Sequence, residues 1–135
     1  MTDIHLTEET ATAFITRTGP HFIETRFKPD IPIDAKGMVE NIRARRRMCD
    51  GEPHVMLTVV EGDRYFDPEV MRTNFYELPE DRAVIRAIAL VLDGDLLPAI
   101  ARLYFAYFPQ TFRTGVFRTE QEAREWLAEE QAAVI

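Results

Sequence analysis

Two apolar runs set the frame of this chain. Residues 54–61 (HVMLTVVE) and 85–92 (IRAIALVL) are nearly continuous in hydrophobic side chains and bounded by turn residues. That is the pattern of strands covered on both faces in a parallel sheet. In the first run Val55, Leu57 and Val59 point one way and Met56 and Val60 the other; in the second, Ile88, Leu90 and Leu92 oppose Ala87, Ala89 and Val91. Both sides of the middle of the sheet are therefore apolar. Residues 10–18 and 21–27 alternate only in part, and Gly19-Pro20 between them predicts a hairpin at a sheet edge. Residues 1–9 read as a loose terminus, and 111–117 as a final strand.

Helical spacing fills the gaps between these strands. Asp34 is an N-cap, Ala35, Met38, Val39, Ile42 and Cys49 share one face, and Gly51 supplies a left-handed stop. Gly37 weakens this helix by up to ~1 kcal/mol relative to alanine. Asp67-Pro68-Glu69 opens a second helix running to about Glu77, and Leu78-Pro79-Glu80-Asp81 breaks it ahead of a short helical turn. Asp93-Gly94-Asp95 caps a third helix over 96–108, which Pro109 ends. Thr119-Glu120-Gln121-Glu122 is a capping box that starts a last helix burying Ala123, Trp126 and Leu127. The order β-β-α-β-α-β-α-β-α predicts a single α/β domain over 1–135, its sheet mostly parallel with an antiparallel edge strand.

The segment 96–108 (LLPAIARLYFAYF) carries the most information. With Ile100 at the centre of the buried stripe, Leu96, Leu97, Leu103, Tyr104 and Tyr107 fall within about 60° of it, whereas Phe105 lies about 140° away beside Arg102 and Phe108 is marginal. A helix apolar nearly all round needs cover on more than one side. The same holds for the sheet if most helices lie on one of its faces. A twin subunit or a greasy ligand would supply that cover.

Composition narrows the options. An apolar fraction of 46% and a charged fraction of 29% are ordinary for a globular chain of 135 residues. The net charge of −7 argues against general nucleic-acid binding. The single Cys49 excludes an internal disulfide and suits a reducing compartment. The polar, acidic N-terminus lacks the features of a secretory signal, and no apolar run reaches the ~18 residues of a membrane span. A cytoplasmic protein is expected.

The run Ala87–Leu92, the aromatic helix through Phe108, and the ending Val116-Phe117-Arg118-Thr119-Glu120 leading to Ala123 and Trp126-Leu127 resemble the small bacterial SpoIIAA-like proteins of the STAS/SEC14 type. The resemblance implies a regulatory or binding module. The anti-sigma-factor antagonists of that fold are switched by phosphorylation of a serine at the start of the helix after the central strand. Here that place is Tyr65-Phe66-Asp67-Pro68, and the chain contains no serine at all.

Candidate chemistry is sparse. His5, His21 and His54 share no metal-ligand spacing, so no metal or cofactor is expected. Cys49, near a helix C-terminus, reads as a small hydrophobe. Glu61, Asp63 and Asp67, with Asp93 and Asp95, follow neighbouring strands at the sheet edge where α/β proteins bind ligands; they would serve a Mg²⁺ ion or acid–base chemistry, or simply as helix caps and turns. Lys36, Arg43 and Arg47 form a basic helix face, with Arg45 and Arg46 snorkelling beside the apolar stripe. The residues expected at a ligand site or interface are Arg102, Tyr104, Phe105, Phe108, Tyr65, Phe66 and Asp67. The leading expectation is a non-catalytic interaction module, a homodimer; the alternatives are a carrier or sensor of a lipid or other hydrophobic small molecule, and, third, an enzyme using the acidic loops.

Overall fold

In the computed structural model, which describes residues 6–132, one six-stranded sheet runs in sequence order, β1 (Leu6–Glu9), β2 (Ala13–Gly19), β3 (Phe22–Phe27), β4 (His54–Val60), β5 (Ile85–Leu92) and β6 (Arg113–Phe117). The first two pairings are antiparallel and the remaining three parallel. Residues 6–9 are not loose: they pair with β2 from Leu6 opposite Arg17 to Glu9 opposite Phe14. Their glutamates add ion pairs, Glu8 to Arg47 and Glu9 to Lys28. Residues 1–5, including His5, lie outside the described residues.

Each parallel strand lies beside its predecessor, so successive right-handed crossovers put their helices on the same face. That face carries α1 (Ala35–Cys49), a 3-10 turn (Pro68–Arg72), α2 (Pro79–Val84) and α3 (Leu97–Tyr107). They cover Ile15 and Ile23 on one side of the layer and Met56, Val60, Ile88 and Leu92 further along. The opposite face belongs to α4 (Glu120–Ala132), which seats Ala123 and Leu127, both 0% exposed, on Val55, Leu57, Val59, Ala87, Ala89 and Val91. Burying the Leu127 side chain contributes about 1.5–3 kcal/mol. Arg26 clamps Glu120 at 3.0 and 2.7 Å, and Arg124 reaches Glu24 at 3.0 Å, tying α4 to β3. Over β4 and β5, the middle of the sheet, the second face is thus covered within one chain, while Phe14 on β2 stays 42% exposed. The expectation that a twin subunit must shield it loses its ground.

The Asp34 cap forms as expected, accepting the Gly37 N–H at 2.8 Å, and Gly51 sits at φ 73° beyond the helix. Gly37 has a reason to be there: a Cβ would lie 2.9 Å from Thr12 Cγ2. The helix predicted from Asp67 to Glu77 is instead one 3-10 turn. Asp67 does cap it, accepting the Glu69 N–H at 3.0 Å, but the chain is extended by Thr73. There Asn74 Oδ1 accepts the Tyr76 N–H at 3.2 Å, an alternative to a helical bond. Tyr104 of α3 donates to the Thr73 carbonyl at 2.6 Å and accepts the Phe75 N–H at 3.0 Å. Tertiary bonds have replaced the helix.

The cap of α3 is also not the expected one. Asp93 accepts the Gly62 N–H at 2.6 Å, and Asp63, from the preceding loop, accepts the N–H groups of Asp95, Leu96 and Leu97 at 2.8 to 3.1 Å. Bonds from Leu97, then Leu96, and more weakly Asp95, hold the Asp63 carboxyl below the ordinary carboxylate range. This interlock leaves no room at Gly94, where a Cβ would lie 2.6 Å from Asp63 Cγ and 2.9 Å from Asp63 N. Gly94→Ala is expected to destabilise the fold by about 1–3 kcal/mol, read as a lower urea midpoint at unchanged slope.

Candidate functional site

Helix α3 buries only part of the face its wheel predicts. Leu97 and Tyr104 are buried, and Ala101, Phe105 and Phe108 pack against the core, while Leu96, Leu103 and Tyr107 are 55%, 61% and 71% exposed. The buried stripe is rotated by about a quarter turn from Ile100 towards Phe105. The cause is aromatic packing. Phe105 stacks on Tyr76 with ring centroids 6.4 Å apart and meets Tyr104 edge-on at 5.3 Å; Phe108 lies 5.2 Å from Tyr104, and Tyr76 abuts Phe112 at 5.4 Å. Phe105 is therefore shielded within a lone subunit.

Between this helix and the sheet lies a cavity of about 120 Å³. Its roof is Leu97, Ile100, Ala101, Tyr104 and Phe105, and its floor includes Met56, Thr58, Ile88 and Leu90, with Thr25 and Phe27 alongside. Met38 and Ile42 of α1 and Phe66 close the sides. The gap exists because α3 is fixed at its ends, by Asp63 and by the Tyr104 hydroxyl. Between those pins it offers the small Ala101 to a floor holding the short Thr58. Half-buried Met38, Phe66, Ile100 and Phe105 form its rim.

One wall is charged. Arg45 is 1% exposed and does not snorkel as predicted. Its Nη2 donates to Asp81, its Nη1 lies 3.3 Å from His54 Nε2, and its Nε is buried without a partner. Asp81 is shared with Arg46, which donates from Nη2 at 2.7 Å and from Nε at 3.0 Å. Burial alone would push the Asp81 carboxyl up; the Arg46 and Arg45 guanidiniums outweigh it and hold the group below its usual range. Breaking a buried pair of this kind costs about 3–5 kcal/mol. Burial lowers His54 to about 4, so at neutral pH the ring is uncharged. Nδ1 then donates to the Glu52 carbonyl at 2.8 Å and Nε2 accepts from Arg45.

Of the residues expected at a site, Tyr104, Phe105 and Phe66 meet at this cavity and Phe108 packs beside them. Tyr65 is exposed, Asp67 serves as a cap, and Arg102 projects from the outer side of α3. Lys36, Arg43 and Arg47 share a shallow exposed depression with Val39, and Arg47 is engaged by Glu8. Cys49 is buried. Asp63, Asp67 and Asp93 are occupied by backbone N–H groups, and among the described residues no three His, Cys, Asp or Glu side chains are grouped to hold a metal. Arg45, His54 and Asp81 were missed as a set. Arg45 follows Met38 and Ile42 at helical spacing, which was a usable sign that it points inward.

The same architecture occurs in a crystal structure from Shewanella loihica PV-4, an uncharacterised protein of the DUF3478 family with a SpoIIAA-like fold. The two match with a TM-score of 0.52 at 12% identity, over 94% of this chain and 98% of that one. The fold is SpoIIAA-like. Residues 21–131 match the domain of unknown function DUF7793, and the chain belongs to that family. No curated protein matches. Every residue lining the cavity falls inside the matched span.

Because His54 is held neutral when folded and titrates near 6.5 when unfolded, the folded state binds fewer protons between those values. Its contribution is complete above about pH 6.5 and is lost as pH falls through about 4. The loss should be on the order of 3 kcal/mol. In urea titrations across this range, His54→Gln should flatten the decline between pH 6.5 and 4.5.

Proposed function

We propose that the chain is a non-catalytic binding module that takes a small apolar molecule into the cavity beneath α3. The observation that carries this reading is an apolar space of about 120 Å³ inside a single subunit, lined by aliphatic and aromatic side chains with few polar groups. The space is smaller than the roughly 150 Å³ closed cavity that admits benzene, but it is open on one side, so a ring need not lie wholly inside it. Lining of this kind, with a small number of placed polar groups, is what small-molecule sites share. The serine switch of anti-sigma-factor antagonists has no residue to act on here, since the chain has no serine. Among the described residues no helix is long and apolar enough to cross a membrane; we place the module in the cytoplasm.

Toluene and indole at millimolar concentration should raise the melting temperature of the wild-type protein. Ala101→Leu, which fills the roof of the cavity, should abolish that shift while leaving the unliganded protein at least as stable. A native mass spectrum showing no bound small molecule, together with no thermal response to either probe, would dismiss the reading.

A second reading rests on a separate observation. Leu96, Leu103 and Tyr107 lie at helical spacing along the outer side of α3, and all three are more than half exposed. Such a stripe suits a second copy of this chain, forming a homodimer helix to helix. Light scattering at micromolar concentration should then give twice the monomer mass, and Leu103→Asp should return it to the monomer value. A monomeric wild-type protein would remove this reading.

A further inference from the structure

We infer that the cavity's occupant carries a hydroxyl group, and that the Thr58 and Thr25 hydroxyls on the cavity floor receive it. The inference rests on the cavity reading and names the class of ligand. Strand β4 shows where the floor lies open: six of its seven residues are buried, and Thr58 alone is half-buried. The strand is central, its other face is covered by α4, and Thr58 lines the cavity, so its exposed surface belongs to that space. Thr25 is its register partner on β3, is 5% exposed, and lines the same space. Neighbouring strands lie about 4.8 Å apart, so one small polar group can meet both side chains.

Both hydroxyls are free for such a group. Among the described residues neither Oγ1 has a hydrogen-bond partner, yet neither is sealed in; the side-chain atoms buried without a partner are Arg45 Nε, Arg64 Nε and Gln110 Oε1. Of the buried threonines, Thr10 donates to Asn41 Oδ1 at 2.6 Å and Thr12 accepts from Asn41 Nδ2 at 3.0 Å, which leaves Thr25 as the one without a bond. Thr58 is also the one polar residue in the run Val55–Val60. A hydroxyl set among apolar groups without a bond is unfavourable, and valine would suit either strand position at least as well. Each threonine offers one O–H and two acceptor lone pairs, so a ligand hydroxyl accepts from one and donates to the other. A charged group fits badly. The lining is otherwise almost wholly apolar, and Arg45, the one charged residue on it, gives its Nη groups to His54 and Asp81. The space suits a phenolic ring or a short alcohol.

The test sets phenol, uncharged at pH 7, against toluene, which carries a methyl group in place of the hydroxyl. Binding of each to the full-length protein is measured by calorimetry for the wild type, Thr58→Val and Thr25→Val. A wholly apolar site prefers toluene, because phenol gives up the stronger hydration. The wild type should instead bind phenol at least as tightly as toluene, and each valine variant should lower the phenol-to-toluene affinity ratio by about fivefold to tenfold. Neither variant should melt below the wild type, because neither hydroxyl bonds within the fold; a clear drop would reveal a partner in the chain and overturn the inference. Weaker binding of phenol than of toluene by the wild type, or an unchanged ratio in either variant, would overturn it too and leave the cavity reading intact. Binding of neither probe would sink both.

Discussion

A carboxylate borrowed from another loop fixes the helix on which the rest of this structure depends. Three N–H groups at the start of α3 converge on Asp63, from the turn after β4, rather than on the aspartates just before the helix. At the other end the Tyr104 hydroxyl bridges Thr73 and Phe75. These bonds set the height of α3 above the sheet independently of the side chains between them. A helix positioned by packing alone would settle until its side chains met the floor, because dispersion contacts reward every fraction of an ångström of approach. A helix pinned at both ends cannot settle, and the space beneath Ala101 stays open.

The opposite wall follows another logic. Arg45 projects inward from α1 because His54 at the head of β4 and Asp81 in α2 await it. The three come from separate elements, so the cluster ties α1, β4 and α2 to one another. His54 serves only as a neutral acceptor, and its Nδ1–H is committed to Glu52, which sets the tautomer. The charge at this wall therefore belongs to the guanidiniums, with Asp81 as their sole buried counterion among the described residues.

Much of the architecture was legible in the chain. Strands β4 and β5 declared themselves by continuous hydrophobicity, and α1 by Asp34 and Gly51, because those signals are local and no distant contact opposes them. Where distant contacts intervened, the reading failed. The stretch after Asp67 has helical caps and spacing, yet Tyr104 claims its backbone groups. The wheel of α3 was centred on its most hydrophobic stripe, of which Leu97 and Tyr104 are buried while Leu96, Leu103 and Tyr107 face outward; the Tyr76 ring that draws Phe105 inward is remote in sequence. Cover for the second sheet face was in plain view as Ala123 and Leu127, but spacing along α4 does not say which face it returns to. Arg45 was read as snorkelling from beside the apolar stripe, the usual habit of arginine until a buried counterion is supplied.

The energetic cost of the site argues that it has a use. At about 24 cal/mol per Å³, an enclosed void of this size would cost roughly 3 kcal/mol relative to a filled core, and less here because one side is open. An unmade bond at a buried Nε–H costs about 1–3 kcal/mol more. Together these rival a third or more of the 5–15 kcal/mol that holds a typical domain folded. The space is removable by a single substitution, a larger residue at Ala101. Chains usually break local rules where function requires it. A space held open by a helix pinned near both ends, which one larger side chain at Ala101 would close, is where a small apolar molecule regains the missing contacts.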